Sequence, residues 1–332
     1  MTGADRRTAG IKRGVSLYSY QEEYFLRKMS LEDCIAVSAK IGALGIETLA
    51  EQMMPGYPHL DDAFYEKFRG WMDRYGTVST CHDAFLDTKR YKGRGYTDEE
   101  VLRDIERDLR HAARIGAKVV RMLIFVSPEW LERAIPLAER YDVKMGIEIH
   151  APWHFDHPWI MRHLEMIART RTTHVGFVPD MGIFTKRLPR VARDRMERLG
   201  GTPKILDYVS GAYEAGVLSE YIIFDVRRMG GNAIDIAWAE QCRHSVYSNP
   251  KRLTEYVEYA FHIHAKFYEM LDDGTEYSIP YDKIVAALKA GGYQGYLSSE
   301  YEGNRHIQDA FPVDSVEQVR RQHAMLERLL AA

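Results

Sequence analysis

Short β-rich runs alternate with amphipathic helical segments along nearly the whole sequence, and this alternation limits the fold more than any other feature. Strands that alternate with helices form parallel sheets, and eight such units fit a closed (β/α)8 barrel. A doubly wound open sheet of the dinucleotide-binding kind needs a GxGxxG sequence after an early strand, and none occurs here. The sequence therefore predicts a single (β/α)8 TIM barrel. The strand candidates are GVSLYSY from Gly14, GIETLA from Gly45, TVSTCHDAFL from Thr77, VVRMLIF from Val119, KMGIEIH from Lys144, HVGFVPDMG from His174, AFHIHAKF from Ala260 and GYLSSEYEG from Gly295.

Two segments are longer than a barrel connection requires. Residues 87–97 form a basic, glycine-containing loop after the third strand, and residues 183–257 far exceed one crossover helix after the sixth. Both leave the C-terminal ends of strands, where the active sites of barrels lie. Long ordered loops there serve as lids, specificity surfaces or contacts with other chains. We expect residues 1–13 to be a flexible tail and residues 14–332 to be the barrel, with 183–257 an extended loop and helix segment at the catalytic face.

Charge and composition argue against several kinds of partner. The net charge is −3 with acids and bases interspersed, so the sequence shows no basic face for nucleic acid. No apolar run approaches the roughly 18 residues of a membrane span, and the polar opening lacks the apolar segment of a secretory signal. The three cysteines are widely separated and form no CxxC pair. We therefore expect buried free thiols and a cytoplasmic location.

Acidic and imidazole side chains end four consecutive strand candidates, the fifth to the eighth. These residues are Glu148, Asp180, His264 and Glu300. Ionisable groups inside a barrel are costly unless they are paired or bind a ligand, so one shared cation explains the set economically. Three carboxylates with one imidazole suit Mn²⁺, which we expect first, or Mg²⁺, Co²⁺ or Fe²⁺.

Other polar residues share the same side of these strands. Side chains alternate along a strand, so His150 lies on the side of Glu148, and His262 and Lys266 lie on the side of His264. We expect His150, His262 and Lys266 to face the substrate.

His82 and Asp83, which end the third strand candidate, are further candidates for the site. Each candidate taken alone has another explanation. A single carboxylate at a strand end can form a salt bridge or a helix cap, and a histidine can be a satisfied polar group at the barrel rim. The metal site is favoured because the set occupies the ends of strands that were identified on independent grounds.

Several of these motifs resemble the xylose isomerase-like barrel superfamily of sugar isomerases, epimerases and inosose dehydratases, over about residues 14–330. The extended opening and the long segment after Asp180 most resemble the large, alpha subunit of bacterial C-glycoside deglycosidases. Short-chain ketose epimerases carry a histidine three residues beyond the aspartate, where this chain has Ile183, so their substrate pose is not expected here. The motifs are GVSLYSY, LEDCI, IGALGIETL, GIEIH, PDMG, HIHAKF and GYLSSE.

The resemblance implies roles for the site residues. In the superfamily, Glu148, Asp180, His264 and Glu300 stand where the metal ligands lie. The implied reaction is cleavage of the carbon–carbon bond of a 3-oxo-C-glycoside, by removal of the C2 proton and elimination of the aglycone. His150 is the first candidate for the base and His262 the second, and Lys266 and His82 are candidates for the acid that protonates the aglycone.

The resemblance also implies a small all-β partner subunit in a hetero-oligomer. The long segment after the sixth strand could form the surface for it, or could be a lid that packs only on its own barrel. The aromatic residues of that segment are Tyr208, Tyr213, Tyr221, Phe224 and Trp238.

Three other functions stay open. A sugar or cyclitol isomerase, epimerase or dehydratase would use the same metal and a similar enediolate, but would release no aglycone. A metal-dependent endonuclease for abasic sites would need a basic groove, against which the near-neutral charge argues. A non-catalytic sugar-binding subunit would not respond to divalent metals.

Overall fold

The computed structural model of the protein describes residues 10–87 and 89–332. The predicted (β/α)8 barrel is confirmed: eight parallel strands form a nearly closed barrel with helices around it. The strands are β1 (Lys12–Ser16), β2 (Gly45–Thr48), β3 (Val78–Asp83), β4 (Val119–Met122), β5 (Lys144–Ile149), β6 (Val175–Pro179), β7 (Ile263–Phe267) and β8 (Tyr296–Tyr301).

The sheet runs in the order β6-β5-β4-β3-β2-β1-β8-β7, so consecutive strands lie side by side around the barrel. Two isolated parallel bridges, Phe177 to Ala260 and Asp180 to His264, bring the remaining two edges together beside β6 and β7. The seam of the barrel therefore lies at two of the predicted metal ligands.

The helices follow the strands, and their ends match the local sequence signals. Ser30 and Asp33 form a capping box at the start of α2, and Gly116 ends α5 in a left-handed conformation with φ +86°. The helices are α1 (Gln21–Phe25), α2 (Leu31–Lys40), α3 (Ala50–Met53), α4 (Asp62–Tyr75), α5 (Asp98–Ile115), α6 (Pro128–Tyr141), α7 (Pro158–Thr170), α8 (Arg190–Arg198), α9 (Pro203–Glu214), α10 (Ser219–Arg228), α11 (Ala233–Gln241), α12 (Leu253–Tyr256), α13 (Tyr281–Ala290), α14 (Asn304–Ile307) and α15 (Ser315–Ala331).

The apolar core lies between the strands and the surrounding helices. Ile46, Val120, Ile147, Ile263 and Leu297 are all fully buried within one hydrophobic cluster that includes the inner faces of the helices. Because side chains alternate along each strand, the residues between these positions point into the barrel. Many of those residues are polar or charged, and they form the site described below.

Within residues 183–257, the four successive helices α8 to α11 share a hydrophobic core of their own around the fully buried Trp238. This helical segment is joined to the barrel beside α14, where Arg198 donates to His306 O at 2.6 Å and pairs with Asp309 at 2.8 Å. The helical segment is therefore a small packed unit placed near the C-terminal end of β8.

Other sequence expectations are met in part. Residues 1–9 of the expected tail lie outside the described residues, and β1 begins at Lys12, two residues before the expected start. The three cysteines are free and buried. In the basic loop after β3, Arg90 pairs with Asp104 and Arg94 with Glu100, which ties the loop to the first turns of α5. Among the described residues, no helix combines the length and apolarity needed to cross a bilayer.

Candidate metal centre and active site

The structure brings the four predicted metal ligands together. Glu148 on β5, Asp180 after β6, His264 on β7 and Glu300 on β8 each offer a ligand atom, and these four atoms all lie within 4.8 Å of one another. The four residues are buried. They converge because they lie on neighbouring strands of the barrel: Glu148 and Glu300 precede the last residue of β5 and β8, Asp180 follows β6, and His264 is the second residue of β7, one layer lower.

Local contacts fix the orientation of two of these side chains. Asp180 follows β6 and caps a short 3-10 turn, because its Oδ1 accepts a hydrogen bond of 2.6 Å from the Gly182 N–H. This contact leaves Oδ2 directed toward the cluster. A Cβ on Gly182 would lie 2.9 Å from Asp180 Oδ1 and 3.1 Å from Lys266 Cδ, so the turn has no room for a larger residue. His264 Nδ1 lies 3.0 Å from Glu148 Oε1 and 3.5 Å from Glu300 Oε2.

The cluster carries more negative charge than its own residues balance. Glu300 Oε2 is buried and accepts no hydrogen bond from a described residue. Burial raises the pKa of the Glu300 carboxyl well above its usual range; Lys266 and His264 lower it, and Asp180 and Glu302 raise it further. An oxygen-rich donor set with one imidazole and a shortage of positive charge fits a divalent cation. These residues could therefore hold a metal ion.

His150 and Lys266 stand at the open side of this cluster. Lys266 Nζ lies 2.6 Å from Asp180 Oδ2 and 3.0 Å from His150 Nε2. The side chain of His150 is 43% exposed, whereas that of Lys266 is 2% exposed. Since His150 Nδ1 lies 2.6 Å from the Ala151 carbonyl, which can only accept, Nδ1 carries the proton and Nε2 holds the lone pair. The basic nitrogen of His150 therefore faces Lys266 and Asp180.

Below the metal ligands lies a second group of ionisable residues, which we call the floor. Its members are Glu47, Asp83, Arg121 and His262. Glu47 on β2 places one carboxylate oxygen 2.7 Å from His262 Nε2 and the other 2.7 Å from His264 Nε2. Burial raises the pKa of Glu47, but the charges of His264 and His262 outweigh it and hold the pKa well below its usual range. Glu47 therefore accepts from both Nε2 atoms, which leaves His264 Nδ1 as the nitrogen available to a metal.

The same contacts separate His262 from the substrate side of the barrel. His262 is 1% exposed, and its Nε2 is already engaged by Glu47. It shares the inward side with His264 and Lys266, but it lies below the metal ligands and does not reach the open side where His150 lies.

Two charged residues of the floor were not identified as site residues from the sequence. Glu47 lies in the four-residue strand GIET, and Arg121 interrupts the apolar run VVRM; both are buried. Arg121 Nε donates to Asp83 Oδ1 at 3.0 Å, and its Nη1 lies 3.9 Å from Glu148 Oε2. A charged residue inside a short buried strand was the available signal in both cases. Cys81 also points inward, since its sulfur lies within 4.8 Å of carboxylate oxygens of Glu47 and Asp83.

The structure does not bring His82 to the cluster. His82 is fully buried on the outer face of β3, where its Nε2 lies 3.5 Å from Asp108 Oδ1 and its ring centroid lies 4.7 Å from that of His111. Asp108 and His111 belong to α5, so His82 is part of the layer between the strands and the helices. The assignment of His82 as an acid for the substrate is therefore corrected: its neighbours Cys81 and Asp83 point into the barrel, and strand alternation turns His82 outward.

A cavity of about 280 Å³ opens beside His150 and Lys266. On the barrel side its wall includes Glu302, which lies 3.5 Å from Lys266 Nζ and accepts a 3.1 Å hydrogen bond from the Tyr18 hydroxyl. On the other side its wall is formed by the helical segment α8–α11. The barrel opening and the helical segment therefore enclose one binding space next to the metal ligands.

No family model matches the chain. Among solved structures, the fold resembles a sugar phosphate isomerase/epimerase from Parabacteroides distasonis, with a TM-score of 0.58 and 13% identity over 97% of this chain and 96% of that one. It also resembles the IOLI protein with a bound zinc atom, with a TM-score of 0.58 and 14% identity over 97% of this chain and 98% of that one. The fold is therefore that of the xylose isomerase-like barrels, as predicted.

Curated relatives narrow the class. The C-glycoside deglycosidase alpha subunit of Arthrobacter globiformis is 30% identical over 329 residues, which cover 97% of this chain and 93% of that protein. The 3'-dehydrocarminate deglycosidase alpha subunit of a Microbacterium species is 29% identical over 333 residues, which cover 95% and 94%. This chain belongs to the family of C-glycoside deglycosidase alpha subunits, and it is an enzyme.

Proposed function

We propose that this enzyme cleaves the carbon–carbon bond between an aglycone and C1 of 3-oxo-C-glycosides, by abstraction of the C2 proton and elimination of the aglycone. The observation that carries the proposal is the group of four ligand atoms within 4.8 Å, with the basic nitrogen of His150 beside it. The names of the relatives support the substrate class, since one of them acts on a 3'-dehydro compound and both are deglycosidase subunits.

In this proposal Glu148, Asp180, His264 and Glu300 hold the divalent cation, and Mn²⁺ is the first candidate. When bound there, such a cation stabilises the negative charge that develops on a sugar oxygen as a neighbouring C–H bond breaks.

His150 is the base of the proposed reaction. Its Nε2 accepts the C2 proton, and the electron pair of the C2–H bond forms an enolate with the C3 carbonyl. That pair then becomes the C1=C2 double bond as C3=O reforms, and the bond from C1 to the aglycone breaks with its electrons on the aglycone carbon. Lys266 Nζ donates the proton that the aglycone carbon needs. His150 Nε2 then passes the abstracted proton to Lys266 Nζ, which lies 3.0 Å away, so the cycle consumes no water.

The test of the base is His150→Ala, assayed with Mn²⁺ and a 3-oxo-C-glycoside. We expect loss of aglycone release and of deuterium exchange at C2, while the affinity for Mn²⁺ measured by calorimetry stays unchanged. The control is His154→Ala, since His154 is only partly buried and its Nδ1 accepts a hydrogen bond from the backbone N–H of Asp156. Retained C2 exchange in His150→Ala would rule out His150 as the base.

The same incubation separates the proposal from an isomerase or epimerase function. Free ketoses are supplied to the enzyme in place of 3-oxo-C-glycosides. Interconversion of the ketose without aglycone release from any 3-oxo-C-glycoside would contradict cleavage and would identify the chain as a sugar isomerase or epimerase.

We also propose that the chain works with a second, small all-β subunit, since its relatives are named alpha subunits. Of the aromatic residues expected on the contact surface, Trp238, Tyr208 and Tyr213 pack in the core of the helical segment. Tyr221 and Phe224 on α10 are 63% and 62% exposed.

Tyr221 and Phe224 lie three residues apart on α10, beside the 64% exposed Leu218, so they form one apolar face. Joint replacement, Tyr221→Ser with Phe224→Ser, should weaken copurification with a coexpressed candidate subunit and leave the melting temperature unchanged. Undiminished copurification would exclude α10 as the contact.

A further inference from the structure

The cavity beside the metal ligands has two chemically different ends. Near the barrel it is bounded by His150, Lys266 and Glu302, which are charged or polar and adjoin the candidate ligand Asp180. On the side of the helical segment it is bounded by the apolar Ala192 and Met196 of α8, and also by the polar Gln241, His244 and Ser245. A ligand that fills the cavity therefore meets charged or polar groups beside the metal ligands, and both apolar surface and polar groups at the helical segment.

The residues at the apolar part of the cavity wall can form only van der Waals and hydrophobic contacts with a ligand. Ala192 is 4% exposed, and Met196 packs against the core of the helical segment. Trp238 of α11 lies behind them and is fully buried, with its indole N–H donated to Ser210 Oγ at 3.3 Å. Methionine sulfur interacts favourably with aromatic groups.

One polar group near this end lacks a partner. His306 of α14 borders the cavity, and its Nδ1 is buried without a hydrogen bond from or to a described residue. A buried polar atom without a partner costs free energy that a ligand hydroxyl or carbonyl could recover. The apolar wall and this free ring nitrogen together suit a hydroxylated aromatic ring.

We propose that this cavity is the aglycone subsite, in which Ala192 and Met196 contact an aromatic ring system and His306 forms a hydrogen bond with a polar substituent on it. The proposal rests on the proposed function, because it assumes that the sugar occupies the polar end beside His150. It goes further than the proposed function because it assigns aglycone selectivity to the helical segment α8–α11. The proposed proton transfers use only residues of the barrel. The cavity of about 280 Å³ is near the lower limit of ligand pockets, so bulk added at Met196 should exclude large aglycones first.

The test is Met196→Trp, with Met196→Gln as a second variant that keeps the volume and removes the apolar surface. Both are assayed with Mn²⁺ on 3-oxo-C-glycosides that carry either a single phenolic ring or a flavone. We expect Met196→Trp to raise KM for the flavone substrate about tenfold or more, the size of a misfit in an apolar pocket, with little change for the single-ring substrate. Met196→Gln should modestly weaken the binding of both substrates, which is measured as a small rise in KM. The matched control is Leu199→Trp, since Leu199 ends α8, is 51% exposed and does not border the cavity.

Binding of a free flavone, measured by calorimetry on the full chain with Mn²⁺, distinguishes the subsite from the reaction. If the unmodified enzyme binds the flavone and Met196→Trp weakens that binding, the subsite is supported even where no aglycone is released, and only the reaction is then refuted. The subsite is overturned if Met196→Trp leaves flavone binding unchanged, if it affects large and small substrates equally, or if Leu199→Trp has the same effect.

Discussion

The barrel interior holds two groups of ionisable residues that differ in how their charges are balanced. In the floor, both oxygens of Glu47 accept from histidine Nε2 atoms and Asp83 is paired with Arg121. The mouth above it contains more carboxylates than cations. Its members are Glu148, Asp180, Lys266, Glu300 and Glu302, and His264 joins the two groups.

This difference decides between candidate metal positions. Glu47, His262 and His264 also place three ligand atoms within 4.8 Å, as do Glu47, Cys81 and Asp83. In the floor, however, the hydrogen bonds already satisfy these atoms, so a cation would have to displace favourable contacts. In the mouth Glu300 Oε2 has no such bond, and a cation would relieve repulsion among the carboxylates. A cation is therefore expected in the mouth and not in the floor.

The largest expected effect is on metal binding in the mouth. Asp180→Asn removes one negative charge and one ligand oxygen, so the affinity for Mn²⁺ should fall by more than the roughly 100-fold that is typical of losing an outer partner of a metal ligand. Aglycone release should fall with it. The measurement is calorimetric titration of the chelator-treated chain with Mn²⁺ and with Zn²⁺.

The control for Asp180→Asn is Glu302→Gln. Glu302 also contacts Lys266, at 3.5 Å, but it is not among the four grouped ligand residues. Equal losses of metal affinity in the two variants would mean that total charge, and not the four-residue group, holds the cation.

The next largest effect is on the stability of the floor. Arg121→Met leaves Asp83 buried without its cation and removes a positive charge from beside Glu148. At pH 9, where Asp83 of the unmodified enzyme is ionised, the free energy of unfolding should fall by about 3 kcal/mol, as for a broken buried pair. Burial raises the pKa of Asp83 to about 8 even though Arg121 lowers it. Without Arg121 this pKa rises further. A carboxyl whose pKa is raised by folding loses stability as pH rises through that value, so the deficit of the variant should grow above about pH 8.

Urea unfolding of Arg121→Met at pH 6.5 and pH 9 measures both effects. The matched control is Arg169→Met, because Arg169 forms a surface pair with Glu132 and its side chain is 63% exposed. That variant should lose less than about 1 kcal/mol, as for other exposed pairs. A deficit in Arg121→Met that shrinks with rising pH would contradict the pairing of Arg121 with Asp83.

A smaller effect is expected where the floor supports the mouth. Glu47→Gln offers an amide N–H to one of two histidines that each need an acceptor, so His264 should lose its fixed orientation. Loss of an outer partner of a ligating histidine weakens metal binding by about 10- to 100-fold. The readout is the Kd for Mn²⁺, with Glu51→Gln as the control because Glu51 follows β2 on α3 and is 35% exposed. An unchanged Kd would show that Glu47 has only a structural role.

The sequence was sufficient to predict the barrel and the members of the candidate metal group. Hydrophobic periodicity and caps are local, so the capping box at Ser30 and the start of α6 at Pro128 could be read directly. The four candidate ligands were found because parallel strands of a barrel all end on one face, whatever the details of packing.

Features that depend on pairing across the barrel could not be predicted. β1 begins at Lys12 because Lys12 and Arg13 pair with Tyr296 and Leu297 of β8, a contact between opposite ends of the chain. Whether His82 points inward or outward depends on which alternate residues of β3 face the barrel interior, and no local sequence signal determines this. Likewise Glu47 and Arg121 gain their roles only from partners on other strands.

The smallest expected effect concerns His262, the second candidate for the base. His262→Asn removes one hydrogen bond to Glu47 but leaves the bond from His264 to Glu47 in place. The expected cost is about 1 to 3 kcal/mol of stability, as for other buried hydrogen-bond partners, with C2 exchange and the Kd for Mn²⁺ nearly unchanged. If His262→Asn instead abolished C2 exchange in a folded, metal-binding enzyme, the floor would take part in proton transfer. The distinction between a floor whose polar groups only bond one another and a mouth that carries out the reaction would then be wrong, because the base would lie below the metal ligands.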